Sequence, residues 1–567
     1  MLAHMTRWLG TRTALGLAIA LSLAIAACSL RIGFVTDDYG FRAALHSTSA
    51  HAPASWDLFR FQTGDADANA FLIRIGRLAW WAAPDLKIHF LRPLTGMVFA
   101  ADDAIFGDAA IGYHVHSLLW LALALAGVAV LYRKILPGAA ATLGVAIFGL
   151  AAAHVEAYAW LSARHVVVGA AGAAWALALY ARGGKSRWLG LVPLVIGLAG
   201  SEAALGAVPI WCALACAREP AWRARLRDCA PAIVLGLAYL AAYNALGCGT
   251  RGSGGYHDPF ADPLGFAAIA IVRVPILLGD AALSIPAELS MVESPALIAI
   301  VGAAAVGLVA LAWRAARPEA STLLGWLALG GLVALLPGVG GYPAGRVLVV
   351  PDLAFAAILG AIVARALAAP SWLARALAAV IALAHLVWSP LLSIVEQGAQ
   401  VRRGAFVDRV AGEIAALVPS GSRAILVAAS DPFIFMYPRL VLAETAPGAV
   451  TCWSVLSAAR SRHKLTRTGE RSFSLEPLDQ PLLDGSFDAL FRSPDRPFKA
   501  GDAIDQCGAL ITVAAVDRGL PTKLDIAYQR RLDDPKLVFL AYRDGHIEKL
   551  ALPEIGQSIE LPRAGRL

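Results

Sequence analysis

Long apolar runs alternate with short polar segments from the start of the chain to about residue 395, and the pattern then changes. The runs fall at about 11–31, 111–132, 138–153, 166–181, a tight pair within 187–216, then 229–247, 295–313, 320–337, 346–367 and 372–393. A helix needs about 20 apolar residues to cross a bilayer, so the pattern predicts a polytopic all-α bundle of about eleven transmembrane helices. Residues 32–109 break the rhythm and read as a long, mostly polar loop with short amphipathic pieces. Residues 266–288 carry Arg273, Pro275, Asp280 and Pro286, and they predict a re-entrant or interfacial helix that does not cross.

Beyond about residue 397 the apolar runs shorten and charges become frequent. GAFVDRVAGEIAALVP has helical spacing, and RAILVAA after it reads as a buried strand. ALITVAAV, KLDIAYQ, KLVFLAY and HIEKLAL follow as strands separated by turn residues. The expected organisation is a membrane domain over 1–395, including the 32–109 loop, and a soluble α/β or mostly β domain over 396–567.

Composition agrees with this division. The 567 residues are 58% hydrophobic and 16% charged, which excludes an ordinary soluble protein. A net charge of +7 could suggest nucleic acid, but the basic residues cluster between apolar runs, as cytoplasmic loops do. Nucleic acid is therefore not an expected partner; the lipid bilayer is. Arg and Lys place the N-terminus in the cytoplasm and the C-terminal domain on the far side. IAAC, ending at Cys28, resembles a lipoprotein cleavage box, but the later spans need the first one to set their orientation. Cys452 and Cys507 lie in the far-side domain, where an oxidising compartment would let them pair.

With that orientation, polar residues gather on one face. Asp37 and Asp38 stand at the exit of the first span. Arg92 opens an amphipathic stretch, and His114 and His116 begin the second span. His154, Glu156, Arg164 and His165 lie between the third and fourth, Glu202 sits in the tight pair, and Arg346 begins a late span. Ionisable groups at membrane depth mark functional cavities. Carboxylates can take a proton from a hydroxyl, and arginines and histidines can hold a phosphate. Each also has a structural alternative: Asp37 and Asp38 could cap a helix, and Glu156 could pair with Arg164. Asp102 and Asp103 read as the solvated face of a helix.

The order of landmarks resembles the GT-C superfamily of polyprenyl-phosphate-sugar-dependent glycosyltransferases. TDDYGF, RPLTGMVF, FGDAAIGYHVHSLLW, HVEAYAWLSARH, SEAALGAVP and AGRVLVVP occur in sequence over about residues 10–395. They are most similar to the transmembrane O-mannosyltransferase-like branch that carries TPR repeats. This chain departs from that branch: Ser201 stands where a lysine precedes the glutamate, a proline before the third-span acid is missing, and no 34-residue repeat follows.

The resemblance implies a membrane glycosyltransferase of a bacterial inner membrane, working on the periplasmic face. It would move a hexose from a polyprenyl-phosphate donor to the hydroxyl of an unknown glycan, lipid or protein acceptor. Asp37, Asp38 and Glu156 are the expected catalytic carboxylates. Arg92, Arg164, His165 and Arg346 are expected on the donor phosphate, and His154, His114 and Glu202 in support of the pocket. A divalent metal held by Asp37 and Asp38 is a further expectation. The competing readings are a transporter or flippase for a lipid-linked or anionic substrate, and a polymerase or ligase of lipid-linked glycans.

Overall fold

The computed structural model describes residues 2–47, 52–429 and 432–563. Among them, eight helices are long and apolar enough to cross a membrane, and nine if the bent pair Gly138–Gly149 and Ala152–Ala159, at 49°, is one span. The expected eleven shrink for local reasons. The 187–216 region breaks at the 3₁₀ turn Glu202–Gly206 into helices of 10 and 12 residues, Leu191–Gly200 and Ala207–Arg218. The helix Asp352–Ala368 has 17 residues. Such segments fill the bundle with small side chains, and glycines let some of them approach closely. A Cβ on Gly172 would stand 2.5 Å from Gly197 Cα, so these two helices touch backbone to backbone.

The segment expected not to cross forms one helix, Pro263–Leu283, of 21 residues, which by length and hydropathy could span. Its flanks are nevertheless held to one short stretch. The His257 amide donates to Gly340 O, and Glu288 accepts from the Gly345 amide. Arg273 donates to the carbonyls of Val339 and Gly341.

The long first loop does not stand alone. Its helix Ala66–Arg74 and the Trp80–Trp81 pair are built into the same hydrophobic core as the C-terminal strands. Trp80 and Trp81 are fully buried there, and Trp81 lies 4.8 Å from the Phe435 ring. The expected boundary at 395/396 also runs through a continuous helix, Ser389–Leu417, which carries the bundle into the C-terminal domain. Hydrophobic burial decides this: neither the loop nor the domain covers its own apolar face without the other.

The C-terminal domain has two sheets. One is mixed and four-stranded, with Ser422–Ala428 parallel to both Val450–Val455 and Leu537–Arg543. The other is antiparallel and six-stranded. The helix Pro432–Thr445 follows the first strand and faces the first loop. Cys452 and Cys507 form a disulfide across 55 residues. A small antiparallel sheet of Arg60–Thr63, Lys87–His89 and Gly249–Arg251 draws the glycine-rich loop after residue 251 over the bundle.

Candidate active site

The first span ends in the turn Ala27–Arg31, and after five intervening residues the short helix Asp37–Leu45 begins. Thr36 joins them with φ +51°, a backbone region that costs a non-glycine residue about 1–3 kcal/mol. The following two carboxylates then differ in their partners. Asp38 is fully buried and accepts three bonds: from the Val35 amide at 3.0 Å, from the Ser162 amide at 2.8 Å and from the Ser162 hydroxyl. It fastens the end of the first span to the turn Leu161–Ala163. Asp37 is half-buried and has no hydrogen-bond or ion-pair partner among the described residues. Burial raises its carboxyl to about 6, and the nearby Arg346 cation opposes that rise.

Arg346 lies in the turn Gly345–Leu348, beside Ala153. A Cβ on Gly345 would stand 2.6 Å from Ala153 Cα, so only glycine lets the turn come this close. The guanidinium pairs with Glu156 and lies 5.7 Å from the Trp160 ring centre. Arg92 precedes the helix Pro93–Phe106 and grips Glu202 with two bonds, one of them Nε to Oε2 at 2.8 Å. Its charge also rests on the rings of Phe59 and Phe90, at 4.7 and 4.4 Å. His165 bonds to Ser201 Oγ at 2.9 Å and meets Phe59 edge-on. An arginine has five N–H donors, so both Arg92 and Arg346 keep donors for a ligand after satisfying their glutamates.

Tyr256, from the glycine-rich loop, ties these groups into one electrostatic site. Burial raises its hydroxyl; Arg346 and Arg92 oppose the rise, and Asp37 and Glu202 reinforce it. Tyr437 on the C-terminal domain is raised in the same way by burial, then by Asp37. Glu288, raised by burial to about 6, feels both Glu156 and Arg346. The sequence reading missed Tyr256, Tyr437 and Glu288. GSGGYHDP was legible as an ordered loop, but nothing local ties it to Asp37.

Other expected residues have partners of their own. Arg164, expected on the donor phosphate, is 1% exposed and is locked onto Asp102, with Tyr113 O accepting a second bond at 3.0 Å. Asp102 is equally buried and also bonds His116 at 2.6 Å, so it is a core ion-pair partner and not a solvated face. Asp103 accepts from the Tyr113 hydroxyl and bonds His46. Glu156 pairs with Arg346 rather than Arg164. His154 bonds Asp352 at 2.9 Å, in a separate polar cluster with Ser284 and His385. His114 is fully buried, with the backbone of Ile32 and Gly33 beside its ring.

The donor set does not fit the expected metal. Asp38 Oδ1 already takes two protein donors and Oδ2 one, which leaves Asp37 as the carboxylate of the pair with no protein donor on it. Among the described residues no three His, Cys, Asp or Glu side chains are gathered to hold an ion.

A cavity of about 270 Å³ opens in front of Asp37. Phe41, Leu58 and Phe61 from the first loop and Phe435, Met436 and Trp453 from the C-terminal domain form its apolar walls. Arg60, Arg77 and Arg439 also line it.

No protein-family model matches the chain, and no curated protein sequence does. Among solved structures it is similar to ArnT from Cupriavidus metallidurans bound to undecaprenyl phosphate, at 14% identity over 77% of this chain and 89% of that one, with a TM-score of 0.36. The apo state of the same protein gives 15% identity over 76% and 88%, with a TM-score of 0.39. The Archaeoglobus fulgidus oligosaccharyltransferase, tethered to an acceptor peptide, gives 12% over 79% of this chain and 64% of that one, with a TM-score of 0.39.

Proposed function

We propose that this chain is a GT-C-like membrane glycosyltransferase. It takes a sugar from a polyprenyl-phosphate donor and gives it to an acceptor hydroxyl. The observation that carries this reading is Asp37: an unpaired, half-buried carboxylate beside a retained cation, at the mouth of a cavity and at the end of the first span.

Asp37 takes the proton of the acceptor hydroxyl. The acceptor oxygen forms a bond to the sugar's anomeric carbon as the bond from that carbon to the phosphate oxygen breaks. The electron pair leaves with polyprenyl phosphate, and the free donors of Arg346 and Arg92 stabilise the charge that grows there. The proton ends on Asp37. A single displacement of this kind inverts the anomeric centre. Glu156 and Glu202 hold the two arginines in place, and Tyr256 and Tyr437 border the site.

The disulfide supports an oxidising compartment for the C-terminal domain, and hence a periplasmic face of a bacterial inner membrane. The basic N-terminus supports the same orientation. The test is to mix the purified protein with a panel of polyprenyl-phosphate sugars and membrane extract. Release of free polyprenyl phosphate by the wild type is expected. No release from any donor, with saturable donor binding, would favour a transporter.

A further inference from the structure

The cavity in front of Asp37 has an unusual charge balance. Four charged side chains line it: Asp37, Arg60, Arg77 and Arg439. Arg60 is spoken for by Asp57, at 3.2 Å. Arg77 and Arg439 have no carboxylate partner among the described residues; Arg439 donates only to Gly76 O, at 3.0 Å. The two are held close by that same turn. Gly76 has φ +70°, and a Cβ there would meet Trp453 O at 2.3 Å and both disulfide sulfurs at 2.9 Å. The turn is thus pressed onto the Cys452–Cys507 bridge, with one arginine on it and the other bonded to it. Burial and the Arg77 charge depress Arg439 to about 10. Two like charges side by side favour an anion between them. Asp37 is the one carboxylate of the lining among the described residues and it pairs with neither arginine, so both keep donors for an anionic ligand.

We infer that this cavity is the acceptor subsite and that it takes a sugar bearing a phosphate or carboxylate, with Arg77 and Arg439 on the anion and the hydroxyl facing Asp37. This deepens the transferase reading and rests on it for the word acceptor. The aromatic walls suit a sugar ring: Phe41 and Phe61 stack at 5.8 Å, and Trp453 belongs to the same lining. Arg346 and Arg92 remain for the donor phosphate, so one carboxylate stands between two cationic subsites.

The test is binding, which needs no turnover and therefore stands apart from the transferase assay. Full-length protein in a neutral detergent is titrated with glucose 6-phosphate, glucuronate, glucose and dihexanoylphosphatidic acid, with tryptophan fluorescence as the readout. The anionic sugars are expected to bind saturably and glucose at least tenfold more weakly. Arg77→Gln, at an exposed side chain, should weaken the anions about tenfold or more, and Arg439→Lys, which keeps the charge, only a few-fold. Binding of dihexanoylphosphatidic acid with the same arginine dependence would show that the anion arrives on a lipid. Binding of glucose as tight as glucose 6-phosphate, no saturable binding of any anionic probe, or an Arg77→Gln protein that binds like the wild type would overturn the inference.

Discussion

Asp37 and Asp38 are adjacent in sequence, yet single Asn substitutions should act through different physics. Among the described residues Asp37 has no hydrogen-bond partner, so Asp37→Asn removes a base and its charge beside Arg346 but breaks no hydrogen bond. General-base catalysis is worth about 10²- to 10⁴-fold, and the transfer rate should fall by that factor. Its melting temperature should not fall. Asp37 has a raised carboxyl, so its contribution to stability is fully present below the ordinary value of 3.8 and lost as pH rises through about 6. An amide avoids that loss, and above pH 6 the variant should melt at the same or a higher temperature.

Asp38 instead accepts three bonds while fully buried. An Asn carbonyl can keep the Ser162 donors, but its NH₂ then faces the Val35 amide. One buried backbone donor and one buried NH₂ lose their acceptors, at about 1–3 kcal/mol each. Asp38→Asn should therefore destabilise by roughly 2–6 kcal/mol and release the strained Thr36 turn. The assays are tryptophan-monitored melting in detergent and release of polyprenyl phosphate. An Asp38→Asn protein that melts like the wild type but is inactive, beside an active Asp37→Asn protein, would refute this division of roles.

Transfer should rise with pH through about 6 as Asp37 ionises, and Arg346→Gln should move that limb to higher pH, because the lost cation no longer opposes the effect of burial. A pH–rate profile with an unmoved limb would remove Arg346 from the surroundings of Asp37. Arg164→Met leaves Asp102 buried without its cation, a loss of about 3–5 kcal/mol, so the variant should accumulate poorly in membranes. Wild-type accumulation and melting would return Arg164 to the list of ligand-binding groups. Replacing Cys452 and Cys507 with Ser opens a loop of 55 residues and should cost about 4 kcal/mol, read as faster limited proteolysis of the C-terminal domain. Equal proteolysis with and without the bridge would count against it.

Some of this was fixed by chain chemistry alone. Apolar runs separated by basic segments demand a membrane bundle, because a backbone in lipid must satisfy its own hydrogen bonds and a helix does so locally. Alternating strands after residue 420 likewise follow from local pattern. So does the placement of Asp37, Asp38, Glu156, Glu202 and Arg346 at the ends of apolar runs.

Partner choice was not legible, because it depends on residues far apart in the chain. Glu156 has Arg164 eight positions on but pairs with Arg346, 190 positions away. Asp37 and Asp38 read alike, and only the turn at Ser162 makes one a fastener and leaves the other free. The first loop looked like an appendage of the membrane domain, yet Trp80 and Trp81 complete the core of a domain that begins more than 300 residues later. Local pattern decides which segments are helix, strand or membrane span. Long-range packing decides which charges meet, because an ion pair or a buried carboxylate is stable only where the whole fold supplies its partners.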